Sequence, residues 1–255
     1  MGHQTKIDGT WPNGVVPYEI DATLLNRNPT IVDSVLQTIS EALSEWNQRT
    51  TLHFVPRTFE SDCVRFVDHP EGSCQSPVGY LADGAQDVSC DLDGNKEEDT
   101  KWIAGNIMHE LGHAVGLYHE HQRPDRDNYV IVRDVSDDTN CGKKSTKDAT
   151  AIGAYDFDSI MHYASSSCSS ITAVRSLPAT GWRGEPGNMG NRDKLSSGDV
   201  NTIRTLYPPY SVSLKARLAT FHTLAPRAGY LTDGGMRRWV PAGGSLRSWL
   251  TYWTP

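Results

Sequence analysis

The sequence predicts an α+β protein, a mixed sheet with helices packed on it. Three observations lead there. Two stretches, 31–47 and 101–117, carry apolar residues at helical spacing. Between and before them lie several short runs that alternate like strands. After them the chain turns polar and rich in Gly and Pro, with one more helical pattern near residue 200. No internal repeat or low-complexity run interrupts this order.

The elements follow in sequence. Pro12-Asn13-Gly14 is a turn that opens a strand from Gly14 to Ile20. Asn28-Pro29-Thr30 starts a helix whose face is Ile31, Val35, Leu36, Ile39, Leu43 and Trp46. Strands are expected at Leu52 to Val55 and Cys63 to Val67, with shorter ones at Val78 to Leu81 and Gln86 to Val88 around Ala82-Asp83-Gly84. Lys101 to Leu117 is a helix, capped by Asp99 or Thr100. Asp134 to Ile152 is polar and turn-rich, and Ser176 to Lys194, rich in Gly and Pro, reads as loop. Asp199, Val200, Ile203, Leu206 and Tyr207 form a last helix that Pro208-Pro209 stops. Beyond it, Tyr210 to Pro255 changes composition, with Gly-Gly pairs and Trp239, Trp249 and Trp253. Three readings of that tail stay open: a small β-rich appendage, the start of a second module, or an extension packed on the main domain.

The 255 residues suffice for one large domain or two modest ones. A net charge of −7 and a pI near 5.7 argue against nucleic acid or an anionic membrane as main partner. No apolar run approaches the roughly 20 residues a membrane span needs, so no membrane insertion is expected. Residues 1–10 lack a signal-peptide core and are expected to be a leader remnant or an appended segment. Cys63, Cys74, Cys90, Cys141 and Cys168 contain no C-x-x-C pair, so bridges in an oxidising compartment suit them better than a cysteine metal site. Two bridges and one spare thiol can be arranged in about 15 ways. Oligomeric state has no signal in the sequence.

The chemistry is concentrated in His109-Glu110-Leu111-Gly112-His113-Ala114-Val115-Gly116-Leu117-Tyr118-His119. Histidines four apart stack on one helix face and can grip one zinc ion. Ile103, Ile107, Leu111, Ala114 and Val115 point nearly opposite, toward a core, leaving the histidine face for a cleft. A straight helix would carry a third ligand away. Gly116 takes positive φ cheaply, so it can end the helix and return the chain, with His119 closing the site. Glu110 is placed to hold a water on the metal. Three ligands, one water and one carboxylate make a catalytic zinc site, one ion per chain.

A second stretch, Ser159-Ile160-Met161-His162-Tyr163, changes meaning beside the first. Alone, Met161 and Tyr163 read as core. Zinc proteases with H-E-x-x-H-x-x-G-x-x-H also carry a methionine turn beneath the metal, the metzincin pattern. HELGHAVGLYHEHQRPDRD (109–127) and SIMHY (159–163) resemble the astacin family of metalloendopeptidases, as do WPNGVVPY (11–18), FVPRT (54–58), GAQDVS (84–89) and the helix at 197–207. The resemblance covers Trp11 to Tyr207. It implies a zincin-like fold of two subdomains, 11–116 with a twisted sheet and an active-site helix, and 117–209 with mostly irregular chain, followed by an extension at 210–255. The cleft lies between them, crossed at Gly116.

The resemblance further implies zinc on His109, His113 and His119, Glu110 as general base, and Tyr163 as a residue that reaches the zinc and swings to stabilise an oxyanion. Glu120 matches the position that meets a buried, processed N-terminus. His121 and His162 are read as structural. The expected activity is hydrolysis of internal peptide bonds in protein or peptide substrates, by a secreted enzyme. A zinc-retaining binding module without turnover is the alternative, disfavoured because Glu110 and Tyr163 are both present. Departures from the family are also informative. Leu52 stands where a cysteine is usual, so that bridge is absent. Cys74 would pair with a displaced Cys90, and Cys141 with Cys168, leaving Cys63. Pro77 falls in the stretch that resembles the substrate-binding edge, where proline removes one N–H. With only residues 1–10 before Trp11, latency through an upstream aspartate is not expected for this chain.

Overall fold

A computed structural model describes residues 3–6, 9–26, 29–69, 73–92, 100–136, 139–178, 181–209, 229–233 and 236–240. Its central sheet contains β2 (Val15–Ile20), β3 (His53–Pro56), β4 (Cys63–Asp68) and β5 (Ala85–Cys90), in the order β3-β2-β4-β5. All three ladders are parallel, with Val16 opposite Phe54, Tyr18 opposite Val64 and Phe66 opposite Val88. Among the described residues, the sheet's antiparallel component is a single bridge, Gln75 to Ser89, on the outer side of β5. Parallel strands need crossovers. The short α1 (Ala22–Leu25), capped by Asp21, and the long α2 (Pro29–Arg49) serve between β2 and β3.

The expected helix at 31–47 is α2, and that at 101–117 is α3 (Thr100–Ala114). The two pack together through one core that includes Val35, Ile39, Leu43, Trp46, Ile107, Leu111, Ala114 and Val115, with Val16, Phe54, Val64, Phe66 and Val88 from the sheet. Each fully buried apolar side chain there contributes about 1.5–3 kcal/mol relative to exposure. Trp46 also uses its indole N–H, donating to the Met108 carbonyl at 3.2 Å. Leu52 is fully buried in this core, an apolar filler where the resembling family has a cysteine.

Val78 to Leu81 is not a strand. Gly79 has φ +79°, and its N–H donates to the His113 carbonyl at 2.8 Å. Tyr80 N–H donates to the Gly9 carbonyl at 2.7 Å, and the Gln86 amide donates to the Gly79 carbonyl at 3.1 Å. These bonds tie the segment to the helix end and to the N-terminal stretch instead of to a neighbouring strand. Within residues 1–10, β1 (His3–Lys6) pairs antiparallel with β7 (Ala149–Ile152), Gln4 opposite Ala151.

The second half holds short strands: β6 (Val130–Val132) against β9 (Ile171–Ala173), and β8 (Tyr155–Asp156) against β10 (Trp182–Arg183). They enclose a smaller core of Tyr129, Val130, Tyr155, Phe157 and Ile171, with Tyr129 stacked on Tyr155 at 4.6 Å. The last helix, α4 (Ser197–Leu206), starts at a capping box in which Ser196 and Asp199 exchange side-chain and backbone bonds. Its Val200 and Ile203 return to the main core, as do Ile160 and Met161. Beyond residue 209 the structure describes one hairpin, β11 (Gly229–Asp233) with β12 (Met236–Val240). Disulfides join Cys74 to Cys90 and Cys141 to Cys168, and Cys63 is a buried free thiol that burial pushes up to about 11. Cys74–Cys90 is the pairing expected from the family cysteine at 74, and Cys141–Cys168 is the bridge expected as peculiar to this chain.

Candidate metal centre

The site is built on the end of α3. The last turn of a helix leaves carbonyls without partners. Here the Trp11 indole N–H donates to the Ala114 carbonyl at 2.9 Å, and the Tyr207 hydroxyl donates to the Val115 carbonyl at 3.0 Å. The helix then stops in a Schellman motif: Gly116 N–H bonds the His113 carbonyl and Leu117 N–H bonds the Gly112 carbonyl. Gly116 has φ +102°, where a side chain would be strained. The expected reversal therefore occurs at the expected residue. It brings His119 back so that the ligand atoms of His109, His113 and His119 lie within 4.8 Å of one another.

Hydrogen-bond accounting decides what those atoms offer. His109 Nδ1 lies 2.7 Å from the Ile160 carbonyl, and His113 Nδ1 lies 2.7 Å from the Leu117 carbonyl. A carbonyl can only accept, so each Nδ1 carries the proton. His119 Nδ1 faces Gln122 Oε1 at 3.0 Å. The Gln122 Nε2 donates to the Thr139 and Gly142 carbonyls, so its amide oxygen is the atom turned to His119, and that Nδ1 is protonated too. Three Nε2 lone pairs are left converging, with those of His113 and His119 only 3.1 Å apart. Neutral lone pairs at that separation repel. A cation between them turns the repulsion into coordination, and neutral imidazole is what zinc takes. The three-histidine set thus fits zinc.

Burial keeps it in that state. His109, Glu110, His113 and His119 are 3%, 5%, 7% and 6% exposed. Desolvation holds the imidazoles of His109 and His119 well below their ordinary range and that of His113 at about 4, so all three are neutral at pH 7. Desolvation also lifts Glu110 to about 8 before any metal is bound, with the Arg192 charge pulling it down. A zinc ion nearby adds its own pull toward the carboxylate.

The Met-turn lies beneath. Met161 is fully buried, and a Cβ on Gly112 would come 2.4 Å from its sulfur, so only glycine fits at 112. Asp199, in the first turn of α4, accepts from Ser159 Oγ at 2.9 Å and Ile160 N–H at 3.0 Å. Arg192 donates to the Ile160 carbonyl at 3.0 Å and to Asn106 Oδ1 at 3.0 Å, tying turn to helix. Half-buried Tyr163 lays its ring 4.2 Å from that of His119 and 4.5 Å from that of His121. His121 and His162 stand outside the three-histidine group. His121 Nε2 bonds the Asn140 carbonyl at 2.8 Å, and His162 Nε2 meets the Tyr155 hydroxyl at 2.8 Å. Glu120 is fully buried, accepting from Asp156 N–H at 2.8 Å and from Arg123 at 3.3 Å.

Sequence reasoning named the histidines, Glu110 and Tyr163. It missed Gln122, Arg192 and Asp199, which orient them. For Asp199 the capping pattern at 196–199 was a usable signal; Gln122 and Arg192 had none, since the backbone carbonyls that fix them are distant in sequence.

The model of the Astacin peptidase family matches residues 3–208. The chain is 36% identical over 209 residues to bone morphogenetic protein 1 of Xenopus laevis, covering 80% of this chain and 27% of that one. It is 33% identical over 209 residues to tolloid-like protein 1 of Homo sapiens, covering 80% and 19%. The chain therefore spans roughly a quarter or less of the length of these curated relatives. Among solved structures it is similar to high choriolytic enzyme 1, a hatching enzyme zinc-protease from Oryzias latipes. The TM-score is 0.57 at 29% identity, covering 78% of this chain and 92% of that one.

Proposed function

We propose, from the premise that this chain belongs to the astacin family of zinc-dependent metalloendopeptidases, that it hydrolyses internal peptide bonds of proteins at the site on α3. The observation that carries the reading is the convergence of three proton-free Nε2 atoms, each fixed by an acceptor on its far nitrogen. His109, His113 and His119 would hold the zinc. When bound, zinc supplies a Lewis acid for the scissile carbonyl and for water.

The rest is the work of the chain's own groups. Glu110, one residue from His109 and enclosed with it, takes the proton of the attacking water and returns it to the leaving amine. Tyr163, packed on His119, donates its hydroxyl to the oxyanion of the tetrahedral intermediate. The substrate lies extended beside the outer edge of the sheet, where Gln75 bridges Ser89 and exposed Pro77 offers no N–H. We read 11–209 as the catalytic unit, with subdomains 11–116 and 117–209 meeting at Gly116. The two disulfides support secretion into an oxidising compartment. Among the described residues no helix is long and apolar enough to cross a membrane.

The test is zinc content measured together with cleavage of a mixed peptide library, with and without a chelator. Stoichiometric zinc with chelator-sensitive cutting is expected. Stoichiometric zinc without cutting would overturn the enzymatic reading.

A further inference from the structure

We propose that Gln122 is the positioning residue for His119, and that the loop 139–144, tied by the Cys141–Cys168 disulfide, sets Gln122. The proposal rests on the reading of His119 as a zinc ligand. The three histidines are not held alike. His109 and His113 are oriented by backbone carbonyls, Ile160 in the Met-turn and Leu117 in the Schellman turn. His119 alone among them is oriented by a side chain, the Gln122 amide at 3.0 Å. A glutamine has three side-chain torsions to fix before it can hold anything else.

The loop 139–144 fixes them. Both amide protons of Gln122 are spent on it, one on the Thr139 carbonyl at 2.7 Å and one on the Gly142 carbonyl at 3.1 Å. Rotating the amide would put its oxygen against those two carbonyl oxygens, so only one orientation is tolerated. That orientation presents an acceptor to His119 and dictates its tautomer. The loop is fastened in turn by backbone and side-chain bonds: Lys144 N–H to the Gln122 carbonyl at 2.8 Å, His121 to the Asn140 carbonyl, and Arg126 to the Cys141 carbonyl at 2.6 Å. Cys141 sits between the two carbonyls that Gln122 grips. Its disulfide to Cys168 links this loop to the one that follows Tyr163. One covalent bond thereby ties the support of the third ligand to the segment carrying the proposed oxyanion donor.

The experiment measures zinc release from the full chain into a chromogenic chelator, for wild type, Gln122→Met and the double variant Cys141→Ser/Cys168→Ser. Gln122→Met keeps the length and removes every side-chain hydrogen bond. Loss of such a partner weakens metal affinity about 10- to 100-fold. Both variants are expected to release zinc faster, Gln122→Met by that factor, and its metal-free unfolding midpoint should fall because buried partners lose their bonds. In wild type the ¹⁵N resonances of His119 should report Nδ1 protonated, and Gln122→Met should lose that signature. Should Gln122→Met not fold, the cysteine variant decides alone. Zinc release at the wild-type rate from the variants that fold would overturn the proposal. Failure of wild type to bind stoichiometric zinc would instead remove the site reading, and the proposal with it.

Discussion

Replacing Glu110 by Gln separates two roles of one carboxyl. In the metal-free protein burial raises it from an ordinary 4.5 to about 8. A folded pKa above the unfolded one stabilises the fold fully below 4.5 and loses that contribution as pH rises through 8. Each pH step between costs about 1.36 kcal/mol. At pH 7 the metal-free wild type is therefore disfavoured by ~3 kcal/mol relative to an uncharged isostere. Gln is that isostere, so the metal-free variant should be the more stable by about that amount at pH 7, with little difference at pH 4.5 and no further growth above pH 8. Zinc favours the carboxylate, so loading both proteins should shrink the gain. Catalysis should move the other way. Loss of a general base costs roughly 10²- to 10⁴-fold, or about 3–5 kcal/mol in the barrier. The assays are urea denaturation of metal-free protein from pH 4.5 to 9, and kcat/KM of the zinc-loaded forms on a quenched peptide. A stability difference that is flat with pH would refute the enclosed carboxyl. Cutting within tenfold of wild type at equal zinc content would refute the base.

Tyr163→Phe should keep zinc content and substrate affinity while kcat falls about 10²- to 10³-fold, the usual effect of removing one oxyanion donor; zinc loss in place of rate loss would mark the tyrosine as a structural ligand. Gly112→Ala drives a Cβ to 2.4 Å from the Met161 sulfur in a fully buried turn. Overpacking of that kind costs about 1–3 kcal/mol, a drop of several degrees in Tm by calorimetry, and an unchanged Tm would show that the turn is looser than described. The buried imidazoles have folded pKa values below the ordinary 6.5, about 4 for His113. Their contribution is present above 6.5 and lost as pH falls toward 4. In the Glu110→Gln background, where the opposing carboxyl is gone, metal-free stability should decline steadily across that window, and a level profile would contradict neutral, enclosed histidines.

What could be seen in the sequence is what the chain encodes over a few residues. The i, i+4 pair, the positive-φ glycine and the returning histidine are local, and α3 ends in the turn at Gly116 that they require. Both long helices and most sheet strands were legible for the same reason. Val78 to Leu81 misled because its backbone partners include Gly9 and His113, which no local pattern announces. The orienting groups were hidden in the same way. Their partners are carbonyls 51 residues from His109 and 17 to 20 from Gln122, and a carbonyl has no letter in the sequence. Within the Met-turn the methionine is the conspicuous residue, yet what Met161 does here is fill space against Gly112. The atom that acts on the metal site is the Ile160 carbonyl, which accepts from His109 and from Arg192 at once. That carbonyl is aimed because Asp199 holds the Ile160 N–H and the Ser159 hydroxyl. A volume-conserving change at 161, such as Met161→Leu, should therefore disturb packing by less than about 1.5 kcal/mol. Asp199→Ala should do more harm to zinc retention from a greater distance, because it releases the peptide that fixes the first ligand's tautomer.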